Sequence, residues 1–265
     1  MQNLNQRSNQ TELMDDATIS FDEFHDCLIE LECINTLTLA YRPTLHWLKR
    51  WVKTGEPLTI LDVASGGGDM LRQIAKKWPA RMTTGINLIG VDLNPWSKKS
   101  AEFLSASVAP FCAYETANIF EFNSEKPVDI VISSLFTHHL TNTQIVEFLR
   151  WMDRHARKGW FINDLHRHAL PYYFIKAATA IFSRNRLIRN DAAVSVARSF
   201  SVADWQNLIY RAGLDGRVCI QWYFPFRLCL YCDKERGDKE RDDKEWGDKK
   251  LNDKNAAIQS RWHHE

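Results

Sequence analysis

The chain has 265 residues, 45% hydrophobic and 25% charged, with a formal net charge of +1. That size and apolar content suffice for one large domain with a core that needs no disulfide staples. The balanced charge gives no ground for a nucleic-acid partner, and the polar, acidic opening Met1–Asp16 holds no apolar segment of the secretory kind.

In chain order, residues 1–17 read as a disordered N-terminus and residues 18–53 as a helical cap. Ser20-Phe21-Asp22-Glu23 is a capping-box pattern, with Phe24, Cys27, Leu28 and Leu31 on one face after it. Pro43 restarts a second helix carrying Leu45, Leu48 and Val52. Residues 54–232 form the main domain. Strands are predicted over 58–63, 86–91, 110–116, 128–134, 158–164, 217–224 and 227–232, and helices over 69–78, 95–106, 142–155, 170–182 and 202–212. Thr141 to Gln144 and Ser201 to Asp204 are capping boxes, and Gly213 is a helix stop. Five alternating units, then a helix and two strands with no room for a helix between them, describe a parallel sheet with an antiparallel hairpin at one end.

The six cysteines suggest no disulfide framework. Cys229-Leu230-Tyr231-Cys232 lies on a predicted strand, where residues three apart point to opposite faces, and no second pair completes a metal site. No metal is therefore expected. The longest apolar stretch, Leu170–Phe182, is too short to span a bilayer and carries Lys176, so no membrane span and a cytoplasmic location are expected. Residues 233–265 form a charged, low-complexity tail, in which Asp233–Gly237, Asp238–Asp242 and Asp243–Gly247 repeat every five residues. That period fits neither a helix face nor a strand, so the tail reads as solvated, with Trp246 and Trp262-His263-His264 as its few anchors.

The densest information lies at 58–69. The apolar run Leu58–Leu61 leads into Asp62-Val63-Ala64-Ser65-Gly66-Gly67-Gly68-Asp69: a strand, a glycine turn and a helix start, with a carboxylate at the strand's end. Glycine has no Cβ to hold a ligand off the backbone and tolerates positive φ. Leu71, Ile74, Ala75 and Trp78 continue the helix and Pro79 stops it. A second apolar strand ends in Asp92, followed by Leu93-Asn94-Pro95; an acid there accepts hydrogen bonds from ribose hydroxyls. In a dinucleotide fingerprint a third glycine stands where this chain has Asp69, and a carboxylate at the helix start repels pyrophosphate. NAD and FAD are thus disfavoured. Asp62 suits a cationic amine, and S-adenosylmethionine carries a cation and a ribose but no phosphate.

Asp62 to Gly68 resembles the glycine-rich motif of class I S-adenosylmethionine-dependent methyltransferases, and Asp92 resembles the acid of their second motif. Ala64, where many members have glycine, also occurs in the quinone-biosynthesis C-methyltransferase branch. The resemblance covers residues 58–232. It implies an α/β, Rossmann-like seven-stranded mixed sheet with helices on both faces and an antiparallel C-terminal hairpin, with S-adenosyl-L-methionine as cofactor. Cofactor contacts then fall to Asp62, Ala64, Ser65, Gly66, Gly68, Asp92 and Leu93. Asn118 stands where many members have an aspartate that accepts from the adenine amino group, Ile119 would pack on the ring, and Ser134 would line the methionine side. In many small-molecule members an N-terminal helical segment covers the substrate pocket; simple packing on the sheet is the equal alternative.

Ligands of open α/β sheets sit beyond the carboxyl ends of the strands, so acceptor-side candidates follow the fourth and fifth. His138 or His139, in Thr137-His138-His139-Leu140, could act as a general base or merely cap the next helix. In Asn163-Asp164-Leu165-His166-Arg167-His168, Asp164 could orient His166 or hold a substrate hydroxyl, and Arg167 could hold a carboxylate or phenolate. Arg189, Asp191, Arg198 and Arg227 are further candidates. The expected function is methyl transfer to oxygen or carbon of a small aromatic or polyketide/quinone-like acceptor, with a homodimer left open. The alternatives are an RNA or protein methyltransferase, disfavoured because Ser133-Ser134-Leu135-Phe136 replaces an Asn/Asp-Pro-Pro-aromatic tetrad, and an inactive cofactor-binding scaffold.

Overall fold

The computed structural model describes residues 3–16, 18–53, 55–78, 85–107, 109, 111–124 and 126–234. Its strands are β1 (Leu58–Val63), β2 (Ile86–Asp92), β3 (Cys112–Thr116), β4 (Ile130–Ser134), β5 (Gly159–Leu165), β6 (Cys219–Tyr223) and β7 (Arg227–Asp233). They form one sheet in the order β3-β2-β1-β4-β5-β7-β6. The pairs β1–β2, β1–β4, β2–β3 and β4–β5 are parallel, and β6–β7 is antiparallel. β7 also runs against β5: Gly159 at the start of β5 lies beside the Cys232 carbonyl, while the His166 N–H beyond its end bonds to the Phe226 carbonyl. The arginine that opens β7 is thereby placed at the carboxyl edge of the parallel strands.

The helices are α1 (Phe21–Leu37), α2 (Arg42–Leu48), α3 (Asp69–Lys77), α4 (Pro95–Ser105), α5 (Asn142–His155), α6 (Ala169–Phe182), α7 (Arg186–Arg198) and α8 (Val202–Ala212). Every residue of β1 is buried, as expected of a strand covered on both faces. Leu58 and Ile60 pack with Trp47, Leu71 and Ile74 on one face; Leu61 and Val63 pack with Phe148, Met152, Trp205 and Leu208 on the other. The two-residue period of the strand thus divides the core into two layers. Cys229 and Cys232 fall in different layers, as the strand argument requires, and no disulfide joins any of the six cysteines. Among the described residues no helix is long and apolar enough to cross a membrane.

The helix starts follow their capping residues. Thr141 accepts from the Gln144 N–H and Gln144 returns a bond to Thr141, so α5 begins where the sequence places it; Ser201 and Asp204 do the same for α8. Ser20 makes only half a box, because Glu23 turns away to Arg186. Gly213 closes α8 with φ 74°.

Two parts depart from expectation. Helix α7 was not anticipated. Its buried positions include Asp191 and Arg198 alongside Leu187, Ile188 and Val194, so a pattern of apolar spacing misses it. Residues 3–16, expected to be disordered, are ordered by partners far along the chain: Arg7 bonds the carbonyls of Arg198 and Leu140, and Asp191 accepts from the N–H groups of Leu13 and Met14. Composition cannot reveal such partners. Pro79 and the tail from residue 235 onward, with Trp246 and Trp262-His263-His264, lie outside the described residues.

Candidate active site

The carboxyl ends of β1 and β2 are shaped by backbone. After Val63 the chain turns through Ala64 at φ 56°, Gly66 at 49° and Gly68 at 75°, all in the left-handed region. For alanine this conformation costs roughly 1 kcal/mol, and such outliers cluster at functional sites. Two more non-glycine residues in that region stand on the same edge: Leu135 (φ 56°) after β4 and Phe226 (58°) before β7. Gly90 on β2 gives the loop room, since a Cβ there would come within 2.7 Å of Ser65 Oγ and of the Tyr114 ring.

The loop is stitched by carboxylates. Asp92 accepts from the N–H of Gly66 (2.9 Å) and of Asn94 (2.9 Å), fixing the loop over the end of β2. Burial nonetheless pushes its carboxyl above the usual range. Asp62 is 2% exposed, and burial together with Asp69 and Asp92 pushes it well above that range. Among the described residues no donor reaches the Asp62 side chain. A buried carboxylate in this state carries an uncompensated desolvation cost, which a cationic ligand amine would relieve. Asp69 takes the Tyr41 hydroxyl (2.7 Å), the Asn35 amide (3.1 Å) and its neighbour's N–H. The anion-attracting start of α3 is therefore filled by the chain's own carboxylate, leaving no place for a pyrophosphate.

The N-terminal helices lie directly on this edge. Leu28 of α1 rests against Gly66 and Gly67, and Glu32 pairs with Arg72, which also bonds the Gly67 carbonyl. Tyr41, opening α2, reaches Asp69, and Asn163 of β5 donates to the Ala40 carbonyl (2.8 Å).

The ends of β4 and β5 are shaped instead by side chains. Asp164 is fully buried and receives the Thr137 hydroxyl, the N–H groups of His138 (3.1 Å) and Leu165 (2.7 Å), and Nδ1 of His138 (2.7 Å). Burial would raise its pKa, but His138 and these donors outweigh that and hold it at about 2. Burial likewise opposes the charge on His138, yet Asp164 and Glu12 raise it to about 9. Arg198 donates to the carbonyls of His138 (3.0 Å), His139 (3.0 Å) and Gln10 (3.1 Å), fastening the Thr137–His139 turn to the N-terminal segment.

Among the expected cofactor residues, Asp62, Ala64, Ser65, Gly66, Gly68 and Asp92 come together around the loop. Leu93 is exposed. Asn118 accepts from the Phe120 N–H and donates to Glu121, and Ile119 is buried in the core beside Val91. Ser134 Oγ is buried with no hydrogen-bond partner among the described residues. Of the acceptor-side residues, His138 and Asp164 are committed to each other, and Arg167 to the carbonyls of Leu4 and Ser199 and to Asp204. The Arg167 guanidinium is thus a strut for the N-terminal segment, not an open anion holder. His166 is half-buried; burial, then His168 and Arg167, lower its pKa to about 4, so its ring is neutral at neutral pH.

Arg227 differs from all of these. It is 4% exposed, its Nη1 has no hydrogen-bond partner among the described residues, and burial lowers its pKa. Cys229, Asp164 and Tyr41 are the ionisable groups near enough to act on it. Tyr41, Asn35, Arg7, Glu12 and Asp15 carried no signal in the sequence, where they pass for ordinary polar residues of a cap and a tail.

A sheet of this order, with a left-handed glycine loop after the first strand and a buried acid after the second, is the architecture that the resemblance to class I S-adenosylmethionine-dependent methyltransferases implied. Residues 60–159 match the family model described as a methyltransferase domain. Among solved structures, the plantazolicin methyltransferase in complex with S-adenosylhomocysteine is 17% identical, with a TM-score of 0.57 over 82% of this chain and 89% of that one. The magnesium protoporphyrin IX methyltransferase of Synechocystis PCC 6803 with bound S-adenosylhomocysteine is 13% identical, with a TM-score of 0.53 over 83% and 90%. A candidate O-methyltransferase of Nostoc punctiforme PCC 73102 is 17% identical, with a TM-score of 0.52 over 78% of this chain; the chain spans 60% of that protein. At these identities the likeness is one of fold. No curated protein matches in sequence.

Proposed function

We propose that the protein methylates an anionic oxygen, a carboxylate or phenolate, of a small acceptor held by Arg227. The observation that carries this reading is the buried guanidinium with an unpartnered Nη1. An unmet buried donor costs roughly 1–3 kcal/mol, more when charged, so a site that keeps one gains by receiving an anion. Ser134 Oγ, buried and unpartnered at the end of β4, is a second donor on the same edge.

S-adenosylmethionine supplies an electrophilic methyl group on a sulfonium. Asp62 answers its amine, Asp92 its ribose hydroxyls, and the Gly66–Gly68 backbone lets it approach. Asn118 offers an amide oxygen to the adenine end. Arg227 holds the acceptor as an anion, so the attacking oxygen arrives deprotonated and needs no strong base. His166, neutral at neutral pH, can accept a proton from an acceptor that arrives protonated. His138, His139, Asp164 and Arg167 act at one remove, by holding the walls. The cap of α1 and α2 keeps water from the loop.

The test compares wild type with Arg227→Met, which keeps the stem and removes an unpaired buried cation. Methyl transfer from labelled S-adenosylmethionine is measured with 4-hydroxybenzoate and salicylate, against benzyl alcohol as an uncharged acceptor. Anionic acceptors should be preferred, and the substitution should raise their KM by about tenfold or more while cofactor affinity stays unchanged. Preference for the uncharged acceptor, or no effect of the substitution, would overturn the reading.

A further inference from the structure

Around the Thr137–His139 turn stands a group of side chains that takes no direct part in methyl transfer. Glu12, His138 and His139 present three potential ligand atoms, all within 4.8 Å of one another. His138 Nε2 lies 3.5 Å from Glu12 Oε1, and His139 Nε2 lies 3.7 Å from Glu12 Oε2. Donor atoms around a four-coordinate ion with bonds of about 2.0–2.1 Å are separated by roughly 3.4 Å. The spacing fits.

The opposite nitrogens make the case stronger. His138 Nδ1 is 2.7 Å from Asp164 Oδ1, and His139 Nδ1 is 3.1 Å from Asp15 Oδ2. Each carboxylate can only accept, so each Nδ1 carries a hydrogen and each Nε2 is turned toward Glu12; the proton that His138 holds there at neutral pH is one a metal ion would displace. A carboxylate behind a histidine, fixing its tautomer and raising its basicity, is the usual support of a metal ligand. Both Nε2 atoms face Glu12, whose oxygens can only accept. Ser195 donates to Glu12 Oε1 (2.9 Å) and holds it in place.

Two ring nitrogens converging on one carboxylate need positive charge among them. Two protons would create two imidazolium rings with centroids 4.5 Å apart, a like-charge pair in a largely buried place. One divalent ion supplies the same charge at a single point and satisfies both nitrogens and the carboxylate.

We propose that Glu12, His138 and His139 bind one divalent transition-metal ion, of which zinc best suits two imidazoles and a carboxylate. Asp164 and Asp15 position the two rings. His139 is 26% exposed at its side chain, so a fourth position opens toward solvent. The ion joins the N-terminal segment to the loop after β4, and so clamps one wall of the acceptor side. Its binding does not depend on which acceptor is used.

The test uses the full chain, stripped with a chelator, dialysed, and titrated with Zn2+ in a calorimeter; Co2+ reports the ligand field by its visible absorption. One ion per chain, bound at micromolar concentration or tighter with a rise in Tm, is expected. Glu12→Gln and His139→Ala should abolish it, and Asp15→Asn should weaken it about tenfold. These three sit at or near the surface or keep their shape, and circular dichroism checks their fold. Cys33→Ser and the double variant His263→Ala/His264→Ala should bind as wild type, which separates this site from an exposed thiol and the tail histidines. No uptake by the stripped wild type, uptake that survives Glu12→Gln and His139→Ala, or loss in either control would each overturn the proposal. So would nitrogen NMR that finds both rings as imidazolium in the presence of zinc.

Discussion

At the ends of β1 and β2 the backbone does the shaping: three residues of one loop lie in the left-handed region, with carboxylates receiving backbone N–H groups from within a few residues or from beyond the adjacent strand. At the ends of β4 and β5 the same edge is held by arginines and carboxylates from remote parts of the chain. Arg7, Glu12 and Arg198 meet at a turn from which the first lies more than a hundred residues away in sequence. The first half can be copied between proteins as a short motif. The second exists only once the N-terminal segment and α7 have folded over it, so it can differ between proteins of one fold and give each its acceptor.

That contrast is most exposed to attack at Arg198. Its guanidinium makes three hydrogen bonds to carbonyls of two distant segments. At about 1 kcal/mol each, Arg198→Met should cost about 3 kcal/mol, read as a lowered midpoint of urea unfolding with an unchanged slope. Residues 3–16 should also lose hydrogen-exchange protection while β1 and β2 keep theirs. A loss below about 1 kcal/mol would mean that the segment is held by its other contacts and that the second half is less interdependent than its geometry implies.

The same difference governs what could be read from the sequence. Strand β1, the glycine loop, Asp92 and the capping boxes of α5 and α8 are local: each signal lies within a few residues of its effect. The antiparallel β6–β7 pair followed from the spacing of the last two strands, while the seven-stranded sheet was implied by the family resemblance. Helix α7 escaped because its buried face holds Asp191 and Arg198, which look solvent-facing until their partners Leu13, Met14 and Gln10 are known. Arg167 and Arg227 show the limit most clearly. Both are arginines near a strand end, and only the fold tells that carbonyls and Asp204 take up the first while the second keeps a free Nη1. Chemistry that depends on which side chains remain unsatisfied is a property of the assembled core.

Asp62 sharpens the comparison from the local side. Its folded pKa stands above the unfolded value because burial, Asp69 and Asp92 all disfavour its charge. The folded state therefore binds the proton more tightly, so between the unfolded value of about 3.8 and the raised folded value stability should rise as pH falls. Above both values the ionised carboxylate opposes folding. Asp62→Asn should raise the Tm of the cofactor-free protein at pH 7 and flatten part of that pH dependence. It should also weaken S-adenosylmethionine binding by about tenfold or more, since the amine loses its charged partner. A variant that binds as wild type would remove Asp62 from the cofactor site, whatever its effect on stability.

The smallest effect expected is at Gly90, where the local half touches its own packing. A Cβ would lie 2.7 Å from Ser65 Oγ on one side and 2.7 Å from the Tyr114 ring on the other. Tyr114 is anchored by Ser105 (2.8 Å) and cannot swing away freely, so the glycine loop must give instead. Gly90→Ala should cost about 1–2 kcal/mol through overpacking, seen in urea unfolding, and should weaken cofactor binding because Ser65 is displaced with its loop. Adding Ser65→Ala removes one of the two clashing atoms and should return part of both losses, leaving the share due to Tyr114. If the double variant recovers stability but not binding, the Ser65 hydroxyl itself touches the cofactor. If it recovers both, the loop's position is what matters and the side chain at 65 is a spacer, as a site built from backbone requires.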